Sequence, residues 1–139
     1  MPEGVNEADA SLLEAHRIAL KIPSMGREIG EKTIPAELGV VEMSADFTKG
    51  CYVGQELVAR VDSRGNNTPR TMRAITFDAL PTEAFPVPLF QGDDEVGLLT
   101  SAASLGGGVV GLASIKRAAD LDQQVAVGAG GALATIDPS

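Results

Sequence analysis

The chain has no tryptophan, one tyrosine, one histidine and one cysteine in 139 residues, and aromatics make up only 4% of it. A single cysteine cannot close an internal disulfide, and with one histidine it cannot complete the ligand set of a structural zinc site. The thiol is therefore expected to be reduced or reactive. Positive charge is scarce as well: 11 Lys and Arg against 19 Asp and Glu leave a net charge of −8. A protein that holds nucleic acid by neutralising phosphates needs a basic face and a high isoelectric point, so nucleic acid is not an expected partner. No apolar run approaches the ~20 residues of a membrane span, and the opening MPEGVNEADA has neither the basic nor the apolar region of a secretion signal. These absences predict a soluble cytoplasmic protein with no membrane partner. The G-x-S-x-G elbow is missing and the one histidine stands alone, which leaves a serine hydrolase without machinery.

What is present is ordinary globular material, 44% hydrophobic and 22% charged. A chain of this length can bury roughly two thirds of its unfolded surface in one core. From Asn6 to Leu20 the apolar residues Ala8, Leu12, Ala15, Ala19 and Leu20 recur at helical spacing. Ser11 and Glu14 stand at capping-box separation and Pro23 lies just past the end, so one amphipathic helix is predicted there. In the following KIPSMGREIGEKTIPAELGVVEMS, Pro23, Gly26, Gly30, Pro35 and Gly39 rule out a long helix and predict an ordered loop that needs outside support. After FTKGCYVGQELVARV come short β-rich runs between turn signals: RTMRAITFDA, EVGLLTSAAS, GVVGLASIKR and QQVAVG…GALATI. The expected fold is mainly β, of α+β class: an N-terminal helix and ordered loop, then a small antiparallel Greek-key β-barrel. The change of character near residue 45 divides it into 1–45 and 46–139.

Several local patterns read as structure. GGGVVG, Gly106 to Gly111, matches G-x-G-x-x-G in letters but lacks the preceding strand, following helix and later acidic residue of a dinucleotide fingerprint, and reads as a hairpin turn. GAGG, Gly128 to Gly131, reads as a tight turn between apolar runs. GDDE, Gly92 to Glu95, lacks the alternating oxygen donors of a calcium loop and reads as a solvated hairpin tip. His16, at the border of the helix's apolar face, reads as a half-buried structural side chain, and no metal site is expected.

The octapeptide KGCYVGQE, residues 49–56, is harder to explain as structure. Gly50 and Gly54 flank Cys51, Tyr52 and Val53 and let the backbone turn sharply or approach another molecule, while Lys49, Gln55 and Glu56 supply a charge, an amide and a carboxylate. Such a loop can line a pocket. Lys49, two positions from Cys51, is placed to raise its thiolate fraction. The competing reading is that a solitary cysteine simply fills space in a core.

KGCYVGQE resembles, at all eight positions, the K-G-C-[YF]-x-G-Q-E signature of the YgfZ-type folate-binding proteins, relatives of the T protein of the glycine cleavage system, an aminomethyltransferase. EKTIPAELG is similar to that family's loop ahead of the signature, VARVDSRGNNTPR to its continuation, and VGLLTSAAS…GVVGLASIKR to strands of its C-terminal barrel. The resemblance implies the C-terminal half of a ring of subdomains: residues 1–45 end a folate-binding core and 46–139 form the signature loop and barrel. It implies tetrahydrofolate as cofactor, an N-terminal half of the same fold as partner, and iron–sulfur proteins as further partners whose assembly or repair is supported. Lys49, Gly50, Tyr52, Gly54, Gln55 and Glu56 are then the folate-binding or signature loop, and Cys51 the redox or contact thiol. Arg60 and Arg64 are weaker candidates for the glutamate tail of folate.

One departure limits the transfer. Where the T protein carries R-x-E-A-G, with a glutamate that anchors the pterin ring, this chain has RIALKIP, with Ala19 in the acid's place. Glu37, in IPAELG, is the nearest carboxylate at a family-like position. The T protein's catalytic acid belongs to the other half, so no residue here is assigned as general acid or base. Two alternatives stand beside the folate-binding reading: an aminomethyltransferase active only with the missing half, and a non-enzymatic protein-interaction barrel.

Overall fold

A computed structural model of the chain describes residues 9–63, 65 and 67–138. Helix α1 spans Ala10–Ala19, a 3₁₀ turn spans Pro35–Leu38, and the short helix α2 (Val41–Ser44) precedes helix α3 (Gln55–Ser63). Six strands follow: β1 (Arg70–Phe77), β2 (Val87–Gln91), β3 (Asp94–Leu105), β4 (Gly108–Lys116), β5 (Val125–Val127) and β6 (Leu133–Ile136). They close into an antiparallel barrel in the order β1-β4-β3-β2-β5-β6. Strands β2, β3 and β4 are successive neighbours and β5 returns beside β2, which is the Greek-key arrangement the sequence predicts.

Alternation along the strands makes this barrel. Ile75 and Phe77 on β1, Val87 and Leu89 on β2, Leu99 on β3, Ala113 and Ile115 on β4, and Val125, Val127, Ala134 and Ile136 beyond them form one buried cluster. Each fully buried aliphatic side chain contributes about 1.5–3 kcal/mol relative to exposure. Gly106 and Gly107, at φ +61° and +90°, form the two-residue β3–β4 turn between Leu105 and Gly108, so GGGVVG is a hairpin. Gly92 and Asp93 turn β2 into β3 in the same way, with Gln91 opposite Asp94. The GAGG segment closes through the Val127 amide donating to the Ala132 carbonyl at 2.9 Å.

Strand β2 was outside the predicted β-rich runs. Its sequence VPLFQ carries Pro88, which has no N–H for a ladder. The strand is held nonetheless by β3 on one side and β5 on the other.

The N-terminal helix departs from expectation in its start and in its faces. It begins at Ala10, and the cap is Asp9, whose side chain accepts from the Ser11 amide at 3.1 Å; Ser11 is inside the helix. Asn6 to Ala8 lie outside the described residues. Ala15 and Ile18 are fully buried against a second cluster of Met72, Ala103 and Leu112 on the outer wall of the barrel. Leu12 and Leu20, expected on the buried face, are 44% and 67% exposed, and Ala19 is exposed too. Periodicity alone could not separate the two apolar faces that α1 carries. His16 is exposed rather than half-buried. Helix α1 lies against β3 and β4, and the 3₁₀ turn lies against β1 and α3. No helix among the described residues is long and apolar enough to cross a membrane.

Candidate functional site

Asp46 sets the approach to the octapeptide. Its Oδ1 accepts from both the amide and the hydroxyl of Thr48, at 2.8 and 2.7 Å, fixing a local turn and holding the carboxyl below its usual range. Residues 47–54, exposed at every position but Tyr52, then run as a turn-rich segment into α3. Gly54 makes the junction: at φ +86° it takes a conformation that L residues avoid, and its carbonyl accepts from the amides of Leu57 and Val58 to start the helix. Gln55 and Glu56 therefore stand on the first turn of α3 rather than in the loop. The Gln55 side chain reaches back so that its Oε1 accepts from the Tyr52 amide at 3.3 Å.

Cys51 is a free, exposed thiol, which sets aside the core-filling reading of the lone cysteine. Lys49 is exposed, with its ammonium 5.7 Å from the centroid of the Tyr52 ring, a cation–π placement. Gly50 is exposed, with open space where a side chain would begin. Tyr52 is half-buried, and its phenolic oxygen is buried with no hydrogen-bond partner among the described residues. Glu56 and Arg60, on successive turns, pair at 2.8 Å with side chains 88% and 56% exposed, so the pair is solvent-screened and of small energetic weight. Tyr52, Gly54, Gln55, Glu56, Leu57 and Arg60 line one open groove. Four of the octapeptide positions, Tyr52, Gly54, Gln55 and Glu56, thus share the groove with the weaker candidate Arg60, and Arg64 lies outside the described residues. Met43, Phe47, Val53 and Leu57, along residues 43–57, expose apolar side chains, and α3 has no buried residue.

Glu37, on the 3₁₀ turn, faces a different cavity, bounded by Glu28, Thr33, Leu38, Met72, Thr100 and Ser114. Behind that cavity lies a polar cluster not singled out from the sequence. The Glu28 side chain is 2% exposed, and its carboxylate accepts from the Ser24 amide at 2.9 Å, the Thr100 hydroxyl at 2.8 Å and the Ser101 hydroxyl. Arg17 on α1 donates to Glu28 at 3.1 Å, to Ser101 at 2.9 Å, to the Ile22 carbonyl at 2.6 Å and twice to Glu14, at 2.9 and 2.7 Å. Burial pushes the Glu28 carboxyl upward, but the Ser101, Ser24 and Thr100 hydrogen bonds and the Arg17 charge outweigh it and leave the group below its usual range. The Arg17 hydrogen bond likewise lowers Glu14. A register shift between Leu99 and Ser101 aims these hydroxyls off the ladder toward Glu28. Two hydroxyl residues in the middle of the apolar LLTSAAS were the available signal.

No family model matches the chain. Over 105 residues, 71% of the chain, it is 29% identical to the "Iron-sulfur cluster assembly factor IBA57 homolog, mitochondrial" of Coccidioides immitis, matching 25% of that protein. Over 61 residues, 42% of the chain, it is 38% identical to an uncharacterized protein of Haemophilus influenzae, matching 22% of it. The chain therefore spans about a quarter of the length of the curated relatives it matches, and at this distance its similarity is to a protein named for iron–sulfur cluster assembly.

Proposed function

We propose that this chain is the C-terminal part of a tetrahydrofolate-binding protein of the YgfZ type that supports the assembly or repair of iron–sulfur proteins. The observation that carries the reading is the similarity, across 71% of the chain, to a protein named as an iron–sulfur cluster assembly factor. The match to the KGCYVGQE signature supplies the folate, and the exposed setting of that segment supports it. The groove beside Tyr52 offers an aromatic ring, the Gln55 amide and the Glu56 carboxylate, which suit a flat heterocycle with N–H donors. Arg60 is near enough to exchange its exposed partner Glu56 for a ligand carboxylate. Cys51 stands outside the groove's lining, free for contact with a protein or an oxidant.

An open groove buries too little of a ligand to bind it tightly. The other wall is assigned to an N-terminal region of the same fold, with residues 1–45 as the end of its folate-binding core and 46–139 as the barrel domain. The exposed face of α1 (Leu12, Leu13 and Leu20) together with Ile22 and Met25 is the apolar surface such a region would cover. Transfer of a one-carbon unit is not assigned to these residues, since it needs an acid from that other region.

Calorimetric titration with tetrahydrofolate, first alone and then with the N-terminal region of a full-length relative, tests the reading. Heat that appears or grows in the second titration supports a shared folate cavity. Association of the two parts with no folate heat would overturn the folate assignment. Cys51→Ala in cells separates the thiol: lost activity of iron–sulfur enzymes with folate binding intact is the expected result, and full activity removes Cys51 from the mechanism.

A further inference from the structure

From the cavity that faces Glu37 we infer a second binding site on this chain, one that takes a short primary ammonium ion. Its lining shares no residue with the groove beside Tyr52, and it takes for a different ligand the Glu37 carboxylate that the family resemblance offers to folate. The cavity encloses about 90 Å³ between the 3₁₀ turn and the outer wall of the barrel. That is room for a molecule of a few non-hydrogen atoms, since one water needs roughly 10–15 Å³ measured this way.

The charges decide what fits. Glu28 is compensated: Arg17 pairs with it, and its oxygens are taken by Ser24, Thr100 and Ser101. Glu37 is not, because its carboxylate has no hydrogen bond or ion pair among the described residues, and the Ser114 hydroxyl has no hydrogen-bond partner there either. The cavity therefore presents one uncompensated negative charge and a free hydroxyl acceptor. The Thr33 and Thr100 oxygens lie around them, and Leu38 and Met72 form the apolar part of the lining. An alkylammonium of two or three carbons matches each element, with three N–H donors for the oxygens and a methylene stem for Leu38 and Met72. An anion meets Glu37, and a neutral alcohol leaves its charge unanswered.

The site is held open by construction. Thr100 sits at the β3 register shift, bonded to Glu28 and to the Leu112 carbonyl, so the cavity's floor is fixed by the same cluster that anchors α1. Met72 and Ser114 are directly opposed in the β1–β4 ladder.

The test is an NMR titration of the chain labelled at its methionine methyls, with Met72 assigned through Met72→Leu. Ethylammonium chloride is expected to shift the Met72 methyl saturably, while sodium chloride, ethanol and tetramethylammonium, which lacks N–H donors, leave it in place. Glu37→Gln, on a partly exposed turn, is expected to weaken the ethylammonium response about tenfold or more, as loss of a charged hydrogen bond does. A linear response shared with sodium chloride, or an unchanged response in Glu37→Gln with the barrel spectrum intact, overturns the inference.

Discussion

The Glu28 carboxylate accepts the hydroxyl proton of Ser101, 73 residues further along the chain. With Arg17 between them, this contact ties three parts of the sequence together: α1, the glycine-rich loop and the bulged middle of β3. The loop whose composition needed outside support receives it here.

Removing that carboxylate should therefore be expensive. Glu28→Ala strands the Ser24 amide, the Ser101 hydroxyl and part of the Arg17 fork in a buried setting, and a cost of about 3 kcal/mol is expected. Urea unfolding should show a lower midpoint at unchanged slope. Glu28→Gln, which keeps an acceptor oxygen, should cost less than the alanine variant. Equal midpoints for native chain and Glu28→Ala would mean the cluster does not stabilise the fold.

The same group sets a pH dependence. Its folded-state pKa lies below the ordinary value of 4.5, so the folded chain holds its proton less tightly than the unfolded chain does. The stabilisation is therefore complete above about pH 6 and is lost as pH falls through 4.5 toward the lower folded value. Glu14, lowered by its Arg17 hydrogen bond, acts in the same direction. Thermal melts should show the gap between native chain and Glu28→Gln narrowing on acidification. A gap of constant size from neutral pH to pH 3 or so would contradict the sign.

How much of this was legible in the sequence depends on how local each determinant is. Strands β1, β3 and β4 could be read from alternating apolar residues between turn glycines, because a strand's faces are written two residues apart. Strand β2 could not, since Pro88 removes a donor and its place comes from partners on β3 and β5. The Glu28 cluster joins residues 72 to 84 positions apart, and nothing near Glu28 announces Thr100 or Ser101. The octapeptide KGCYVGQE was legible as a string. That Gln55 and Glu56 belong to a helix was not, because the helix start depends on the left-handed conformation of Gly54.

Gly54 gives a prediction of a different kind. Nothing lies within 4 Å of where its side chain would begin, so Gly54→Ala is penalised by backbone conformation alone, about 1–2 kcal/mol. Because α3 buries no residue, that cost should appear as local opening. Hydrogen exchange is expected to speed up at the Leu57 and Val58 amides, which bond to the Gly54 carbonyl, while the melting temperature barely moves. Gly107→Ala, at φ +90° in the β3–β4 turn, should instead lower the melting temperature of the whole barrel. The reverse pattern would place α3 within the cooperative core.

The two faces of α1 can be told apart by substitution. Ile18 is fully buried against Met72, Ala103 and Leu112, and Ile18→Ala should cost about 3 kcal/mol through lost transfer energy and the cavity left behind. Leu13 is 71% exposed, and Leu13→Ala should change the stability of this chain by less than about 0.5 kcal/mol. The ranking should invert when association with an N-terminal region is measured. Leu13→Asp and Leu20→Asp place charge on the surface that region would cover and should abolish binding, while leaving the urea midpoint of the isolated chain where it was. Undiminished association in both aspartate variants would mean that the partner covers another surface. The exposed leucines of α1 would then need a different explanation from the one their spacing and exposure support.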